Sequence, residues 1–355
     1  MRKITIISIV FLYAATVLAT GFTMFSGPAR QIKASDLGIH LMDTSFYTEN
    51  WAFLSTHEDG SAGFCNFLIS RAGLGKIKPG AGATFWSKNG KVTSFEQPFE
   101  AKQLMASNTG CDISLGPHAA KGGFGNINIH FQNEKISADL RFTSKSGPFA
   151  FNSGKILLGN PIDAWEWIIT MPRAKVEGSF ITEGRMNSVK GYGYVDHTWS
   201  NLAFFSFSTY WVSARIHGPE YSVSFIRFKG TKKMGGQYVT ALLACSDSGI
   251  VASSTNVTFR PTSWGKDAKT GYTYPQGFDA SGNGIKISTH PRELRESIDV
   301  LATLPSIERV LVQTFVTNPR VYRIAADVNV EINTANVSTS FTAFAPVEVL
   351  YMVKE

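Results

Sequence analysis

The stretch FGNINIHFQNEKISADLRF, Phe124 to Phe142, alternates apolar and polar side chains on both sides of a polar turn. Ile127, Ile129 and Phe131 alternate with Asn128 and His130, QNEK intervenes, and Ile136, Ala138, Leu140 and Phe142 resume the pattern. Successive side chains of an extended strand point to opposite faces, so these letters predict a hairpin with one dry face and one wet face. Similar runs are YSVSFIRF from Tyr221, QYVTALLAC from Gln237, ERVLVQTFV from Glu308, VYRIAADVNVEI from Val321 and TSFTAFAPVEVLYM from Thr339, with turn clusters such as SDSG and DASGNG between them. Helical periodicity is scarce, and one short helix is expected within HPRELRESIDVLATLP, His290 to Pro305. Many short strands joined by turns make an all-β sandwich or barrel.

At 355 residues the chain exceeds one ordinary core, and domains of about 100 to 200 residues favour two. Apolar residues make up 43%, aromatics 12% and charges 17%, a balance too rich in aromatics and too poor in charge for disorder. The 34 Lys and Arg and the net charge of +7 are spread thinly, with short clusters such as KGTKK from Lys229 to Lys233. A nucleic-acid groove needs a basic stripe interleaved with aromatics, and none is present, so no nucleic-acid partner is expected.

The start, MRKITIISIVFLYAATVLATGF, has a basic beginning, an uncharged apolar run from Ile4 to Ala19 and small residues near its end. That order is a secretory leader, with Val17 and Ala19 suiting cleavage after residue 19. The uncharged stretch continues to Ala29, long enough to span a bilayer, so an uncleaved anchor over residues 1–29 is the alternative. Either reading is expected to deliver the body to a periplasmic, extracellular or membrane-anchored location, with membrane association through the N-terminus. Cys65, Cys111 and Cys245 fit no CxxC spacing and read as buried free thiols.

Two segments look like weak internal copies. NWAFLSTHEDGSAGFCNFLISR sets Trp51 ahead of His57 and ends at Arg71, while YWVSARIHGPEYSVSFIRF sets Trp211 ahead of His217 at the same spacing and ends at Arg227. Repetition at that scale suits two barrel-sized units, expected over residues 32–183 and 184–355 with MPRAKVEGSFITEGRMNSVKG near the junction. Trp51 and Trp211 read as plugs of the barrel ends.

The common catalytic engines are absent: there is no GxxxxGK[ST] loop, GxSxG elbow, HExxH helix or paired CxxC. HEDG, His57 to Gly60, reads as a hairpin turn, and the glycine-rich RAGLGKIKPGAGATF from Arg71 as a long turn region. KGYGYVDHTWSN, Lys190 to Asn201, is different. As a strand it sends Tyr192, Tyr194 and Asp196 to one face and His197 and Trp199 to the other. A carboxyl group framed by tyrosines on an aromatic face has its pKa raised by desolvation and suits a general acid toward an apolar substrate. A carboxyl that caps a turn or bonds a neighbouring backbone explains the same letters.

GYGYVDHTW resembles the GYHDHNWG-like motif of the carotenoid hydratase (hydroxyneurosporene synthase) superfamily of tandem lipocalin-like proteins. The upstream AWEWIITMPRAKVEGSF is similar to that family's Trp-rich strand, Pro-Arg and Val-x-Gly, and FYTENWAFLSTHEDGSAGF is similar to the first barrel of the related survival-factor proteins. The resemblance implies two lipocalin-like antiparallel β-barrels. It implies an activity anywhere among carotenoid hydratases, Diels–Alderase-type cyclases and lipid binders. In the hydratases an acidic residue protonates an isoprenoid double bond, which assigns Asp196, with Tyr194 and His197, the catalytic positions. Tyr192, Trp199, Trp165 and Trp167 become ligand-lining residues, and Glu166, between the two tryptophans, a second acid if it points inward. Val195, Thr198 and Ser200 stand where the motif has His, Asn and Gly. That loss favours an exported binder of an elongated apolar ligand such as an isoprenoid, polyketide or acyl lipid. The alternative is a hydratase or cyclase without cofactor. No metal is expected.

Overall fold

A computed structural model describes residues 21–72, 75–302 and 318–352. The described residues form two sheets, and every strand pairing in them is antiparallel. The first contains β1 (Phe22–Met24), β2 (Phe46–His57), β3 (Ala62–Ala72), β4 (Lys78–Trp86), β5 (Val92–Pro98), β6 (Leu104–Ala106), β7 (Cys111–Leu115), β8 (His118–Gly123), β9 (Asn126–Gln132), β10 (Ile136–Thr143), β11 (Lys155–Leu158), β12 (Ala164–Thr182) and β13 (Arg185–Ser200). The second contains β14 (Ser208–His217), β15 (Tyr221–Gly230), β16 (Tyr238–Ser246), β17 (Gly249–Ser254), β18 (Thr258–Lys266), β19 (Thr273–Gly282), β20 (Ile285–Asp299), β21 (Arg320–Asn333) and β22 (Ser338–Tyr351).

The β9–β10 hairpin is the one written in Phe124 to Phe142. Ile127, Ile129, Phe131, Ile136, Ala138, Leu140 and Phe142 are all buried, and His130 meets Asp139 at 2.6 Å on the outer face. Phe95 on β5 enters the same core as Ile113 and Leu115 on β7. Strands near both edges thus share one interior, so the sheet curls upon itself. The second sheet does likewise, with Ala252 on β17 and Phe278 on β19 in one cluster.

The strand order repeats. In the first sheet β2 opens a run through β3 and β4 to the β5 edge and also pairs with the last strand, β13. In the second, β14 opens a run through β15 and β16 to the β17 edge and pairs with the last strand, β22. The chain changes sheet between Ser200 and Ser208, whereas the division expected at residues 183 and 184 falls in the turn of the β12–β13 hairpin. Glu183 and Gly184 both have positive φ there, the twist that a tight two-residue hairpin turn requires.

An aromatic layer joins the sheets. Trp165, Trp167 and Tyr194 from the first pack with Trp211, Ile226 and Phe228 from the second, and Phe22 and Phe25 complete the cluster. Each buried aromatic removes on the order of 150–250 Å² from water, at most about 4–6 kcal/mol apiece at about 25 cal/mol per Å². This layer therefore outweighs any single polar contact in holding the sheets together. Arg173 on β12 adds a polar pin, donating from Nη1 to the Gly218 carbonyl (3.0 Å) and Ser222 Oγ (2.9 Å), from Nη2 to the Pro219 carbonyl (2.6 Å) and from Nε to Asp247 (2.8 Å).

Several expectations are corrected. The segment expected to be helical is the strand β20 through Asp299, because pairing with β21 satisfies its backbone. The glycine-rich turn region holds β4 from Lys78 onward, where an added Cβ at Gly82 would lie 2.9 Å from Asn66 Oδ1 and only a small residue fits. An anchor reaching Ala29 conflicts with β1, which pairs with β11, and with Phe22 and Phe25, which are buried at the sheet junction. The expected leader, residues 1–19, and the run from Glu308 to Val316 lie outside the described residues. Trp51 is buried in the first core, whereas Trp211 is half-buried at the junction and plugs no barrel. HEDG forms the expected turn, and all three cysteines are free and buried.

Candidate functional site at the sheet junction

The central strand β13 can run close against β2 because its motif alternates glycine with tyrosine. A Cβ at Gly193 would lie 2.6 Å from the Leu54 carbonyl oxygen and 2.7 Å from the Phe142 ring. The tyrosines between the glycines point to the outer face of the first sheet, which the second sheet covers. Asp196 follows on that face and is buried. Its Oδ2 accepts from the Tyr194 hydroxyl at 2.8 Å and from the Trp167 indole N–H at 3.1 Å.

Arg215 on β14 supplies the facing charge. Its guanidinium lies 3.6 Å from Asp196 Oδ2 and 4.4 Å from the centre of the Tyr194 ring. Burial pushes the Asp196 carboxyl above the ordinary range, against the opposing pull of Arg215, Tyr194 and Trp167. Burial drives the Tyr194 hydroxyl up as well, with Asp196 adding to it.

Beside this cluster a cleft opens between the sheets. It encloses about 560 Å³, counting the part open to solvent, and its walls include Leu54, Phe64 and Trp86 from the first sheet and Arg215, His217 and Glu348 from the second. Asp196 is not among the lining residues, since Arg215 stands on its cleft side. His217 places Nδ1 2.7 Å from Ser222 Oγ, and that oxygen already accepts from Arg173. Among the described residues the serine hydroxyl has no acceptor other than Nδ1, so its proton points there and leaves the ring's own proton on Nε2. Among the described residues neither His217 Nε2 nor Arg215 Nε has a hydrogen-bond partner. Burial, with Arg173 and Arg215 nearby, pushes the His217 pKa down to about 3, so the ring is neutral near pH 7. Arg215 and His217 both line the cleft, whose exposed wall is largely apolar, and each holds one buried N–H without a partner.

The structure separates the other sequence candidates. Tyr192 lies at the junction but apart from Asp196, with its ring 3.9 Å from the Arg173 guanidinium and its hydroxyl donating to the Pro219 carbonyl at 3.0 Å. Trp165 and Trp167 belong to the aromatic layer. Glu166, on the opposite face, is held by Arg30 at 2.6 Å and Lys155 at 3.4 Å and faces no apolar site. His197 and Trp199 lie on the other face of β13. His197 Nε2 is 2.8 Å from Glu49, and Trp199 stacks on His40 at 3.9 Å. Sequence reasoning missed Arg215, His217, Glu49 and His40. The available signal was charge inside apolar strands, as in WVSARIH and FYTENWAF.

Solved structures share this fold. A candidate AttH protein from Nitrosomonas europaea superposes with a TM-score of 0.67 at 14% identity, over 91% of this chain and 99% of that one. CghA in complex with Sch210972 gives 0.63 at 10% identity over 92% and 97%. Kievitone hydratase from Nectria haematococca gives 0.59 at 13% identity over 92% and 98%. No curated protein sequence matches the chain. The Svf1 family model matches nearly end to end, over residues 21–349, in keeping with two lipocalin-like sheets joined face to face, and the chain belongs to the Svf1 family.

Proposed function

We propose that the protein binds an elongated apolar molecule carrying an oxygen acceptor in the cleft between its two sheets. The observation that carries this reading is the pair of buried, unpartnered donors, His217 Nε2 and Arg215 Nε, at an otherwise largely apolar wall. Ligand pockets generally combine apolar walls with a few placed polar groups. A carbonyl, hydroxyl or carboxylate oxygen would satisfy donors whose burial is otherwise costly. The fold shared with CghA bound to Sch210972 and with kievitone hydratase supports a small-molecule role at the level of architecture.

A second reading is a cofactor-free hydratase or cyclase with Asp196 as proton donor. The raised pKa of Asp196 favours it. Its position behind Arg215, bonded to Tyr194 and Trp167, favours binding instead. Mass spectrometry of small molecules that co-purify with the full chain tests both. A binder yields one apolar species, lost in His217→Leu and kept in Asp196→Asn. An enzyme converts the species on incubation, and Asp196→Asn stops the conversion while retaining the ligand. Absence of any co-purifying molecule, together with no uptake of apolar carbonyl probes, would refute the cleft as a ligand site. Export through the leader is part of the proposal, and N-terminal sequencing of the mature protein checks it.

A further inference from the structure

His40, Glu49 and His197 come from separate stretches of chain, yet one ligand-capable atom from each lies within 4.8 Å of the others. The group sits on the inner side of the first sheet, remote from the cleft face of β13. Glu49 Oε1 is 2.8 Å from His197 Nε2 and 3.2 Å from His40 Nδ1. His197 Nδ1 lies 2.7 Å from the Asp36 carbonyl oxygen, so that nitrogen carries the ring proton. A neutral ring then turns the lone pair of Nε2 toward a carboxylate oxygen, and two acceptors at 2.8 Å repel unless a cation or a second proton lies between them.

The surroundings fix these atoms in place. Trp51 stacks on the His197 ring at 4.3 Å and Trp199 on the His40 ring at 3.9 Å. The His40 backbone N–H donates to both Glu49 oxygens, at 2.9 Å to Oε1 and 3.2 Å to Oε2, and Oε2 also accepts from the Tyr47 hydroxyl. A histidine whose far nitrogen donates to a backbone carbonyl is the usual arrangement of a metal ligand, since that bond sets the tautomer and the ring orientation. His197 and Glu49 are fully buried, while His40 is partly exposed and gives an ion a route in.

We propose that His40, Glu49 and His197 bind one divalent first-row transition ion of the zinc class. Two imidazole nitrogens and one carboxylate oxygen suit zinc, whereas calcium and magnesium take oxygen ligands. Tetrahedral bonds of about 2.0–2.1 Å separate ligand atoms by about 3.4 Å, so the contacts at 2.8 and 3.2 Å need to open only slightly. The ion would tie the segment around the 3-10 turn Ala34–Leu37 to β2 and β13, closing one end of the first barrel.

The test uses the full chain, purified without a metal-binding tag and stripped with a chelator. Zinc titration by calorimetry should show one equivalent bound, and Co2+ should give the visible bands of four-coordinate cobalt. His40→Ala should weaken zinc binding about tenfold or more, with the far-ultraviolet circular dichroism unchanged. Glu49→Gln should weaken it further. The rise in thermal midpoint that zinc gives the parent protein should vanish in His40→Ala. Failure of the stripped protein to take up stoichiometric zinc would overturn the proposal, leaving a proton shared between His197 and Glu49 as the bridge. Undiminished binding in His40→Ala would overturn it equally, as an ion held elsewhere. If Glu49→Gln does not fold, His40→Ala decides alone, because that ring is partly exposed.

Discussion

Lowering the pH from 7 to 4 should cost the fold about 3 kcal/mol through His217 alone. The imidazole is buried against Ser222, with Arg173 and Arg215 close by, and its pKa falls from 6.5 to about 3. In the unfolded chain the ring takes up a proton as the pH drops through about 6.5, whereas the folded protein holds it neutral until about pH 3. The native state therefore binds fewer protons across this window. Its stability is complete above about pH 6.5 and declines as the pH falls toward 3. At pH 4 the unfolded ring lies about 2.5 units below its pKa, and at about 1.36 kcal/mol per unit the loss is about 3 kcal/mol.

The assay is urea unfolding followed by tryptophan fluorescence at several pH values, since Trp165, Trp167 and Trp211 sit at the sheet junction and report its opening. His217→Gln keeps an N–H near the Nε2 position but has no titration. It should lose about 3 kcal/mol less than the parent between pH 7 and pH 4. Parallel pH profiles for the two proteins would refute the reasoning, showing that His217 is charged or solvated in the fold.

Three further outcomes are expected. Arg173→Lys should cost about 3 kcal/mol or more in the same unfolding assay, because an ammonium cannot reproduce the forked contacts to Gly218, Pro219, Ser222 and Asp247; a loss under about 1 kcal/mol would deny the pin its role. Gly193→Ala should cost about 1–3 kcal/mol, as its Cβ would press on the Leu54 carbonyl and the Phe142 ring, and a neutral effect would mean that β13 can move away from β2. Cys65, Cys111 and Cys245 have thiols pushed up by burial, so a thiol reagent at pH 8 should label none of them until denaturant is added; labelling of the native protein counts against the packing of both sheets.

Alternation is the part of this fold that the letters carry best. Phe124 to Phe142 needs only a period of two and a polar turn, and both are local. The same local logic separates Asp196 from His197, and the structure puts them on opposite faces of β13. It fails where pairing overrides local preference. Leu294, Ile298 and Leu301 have helix-like spacing, yet the backbone from Ile285 to Asp299 bonds to β21 as a strand. The partners of the motif were illegible for a related reason. Arg215 reaches Asp196 from the other sheet, and Glu49 reaches His197 from a distant strand, contacts that depend on which faces meet after both sheets have curled.

The internal repeat shows how a correct inference about topology can hide a reversal of chemistry. The two sheets share a strand order, and Trp51 to His57 has the spacing of Trp211 to His217. A register change of one residue in a strand transfers every side chain to the other face. In β2, Trp51 and Phe53 face the interior of the first barrel. In β14 it is Val212, Ala214 and Ile216 that fill the second core, so Trp211, Arg215 and His217 turn outward to the junction. Had the faces been preserved along with the spacing, Arg215 and His217 would project into an apolar core with no charged partner, at a cost of several kcal/mol. The inversion instead brings Arg215 within 3.6 Å of Asp196 and puts His217 on the cleft wall. The polar chemistry of the junction is thus a consequence of facing, which spacing alone does not encode.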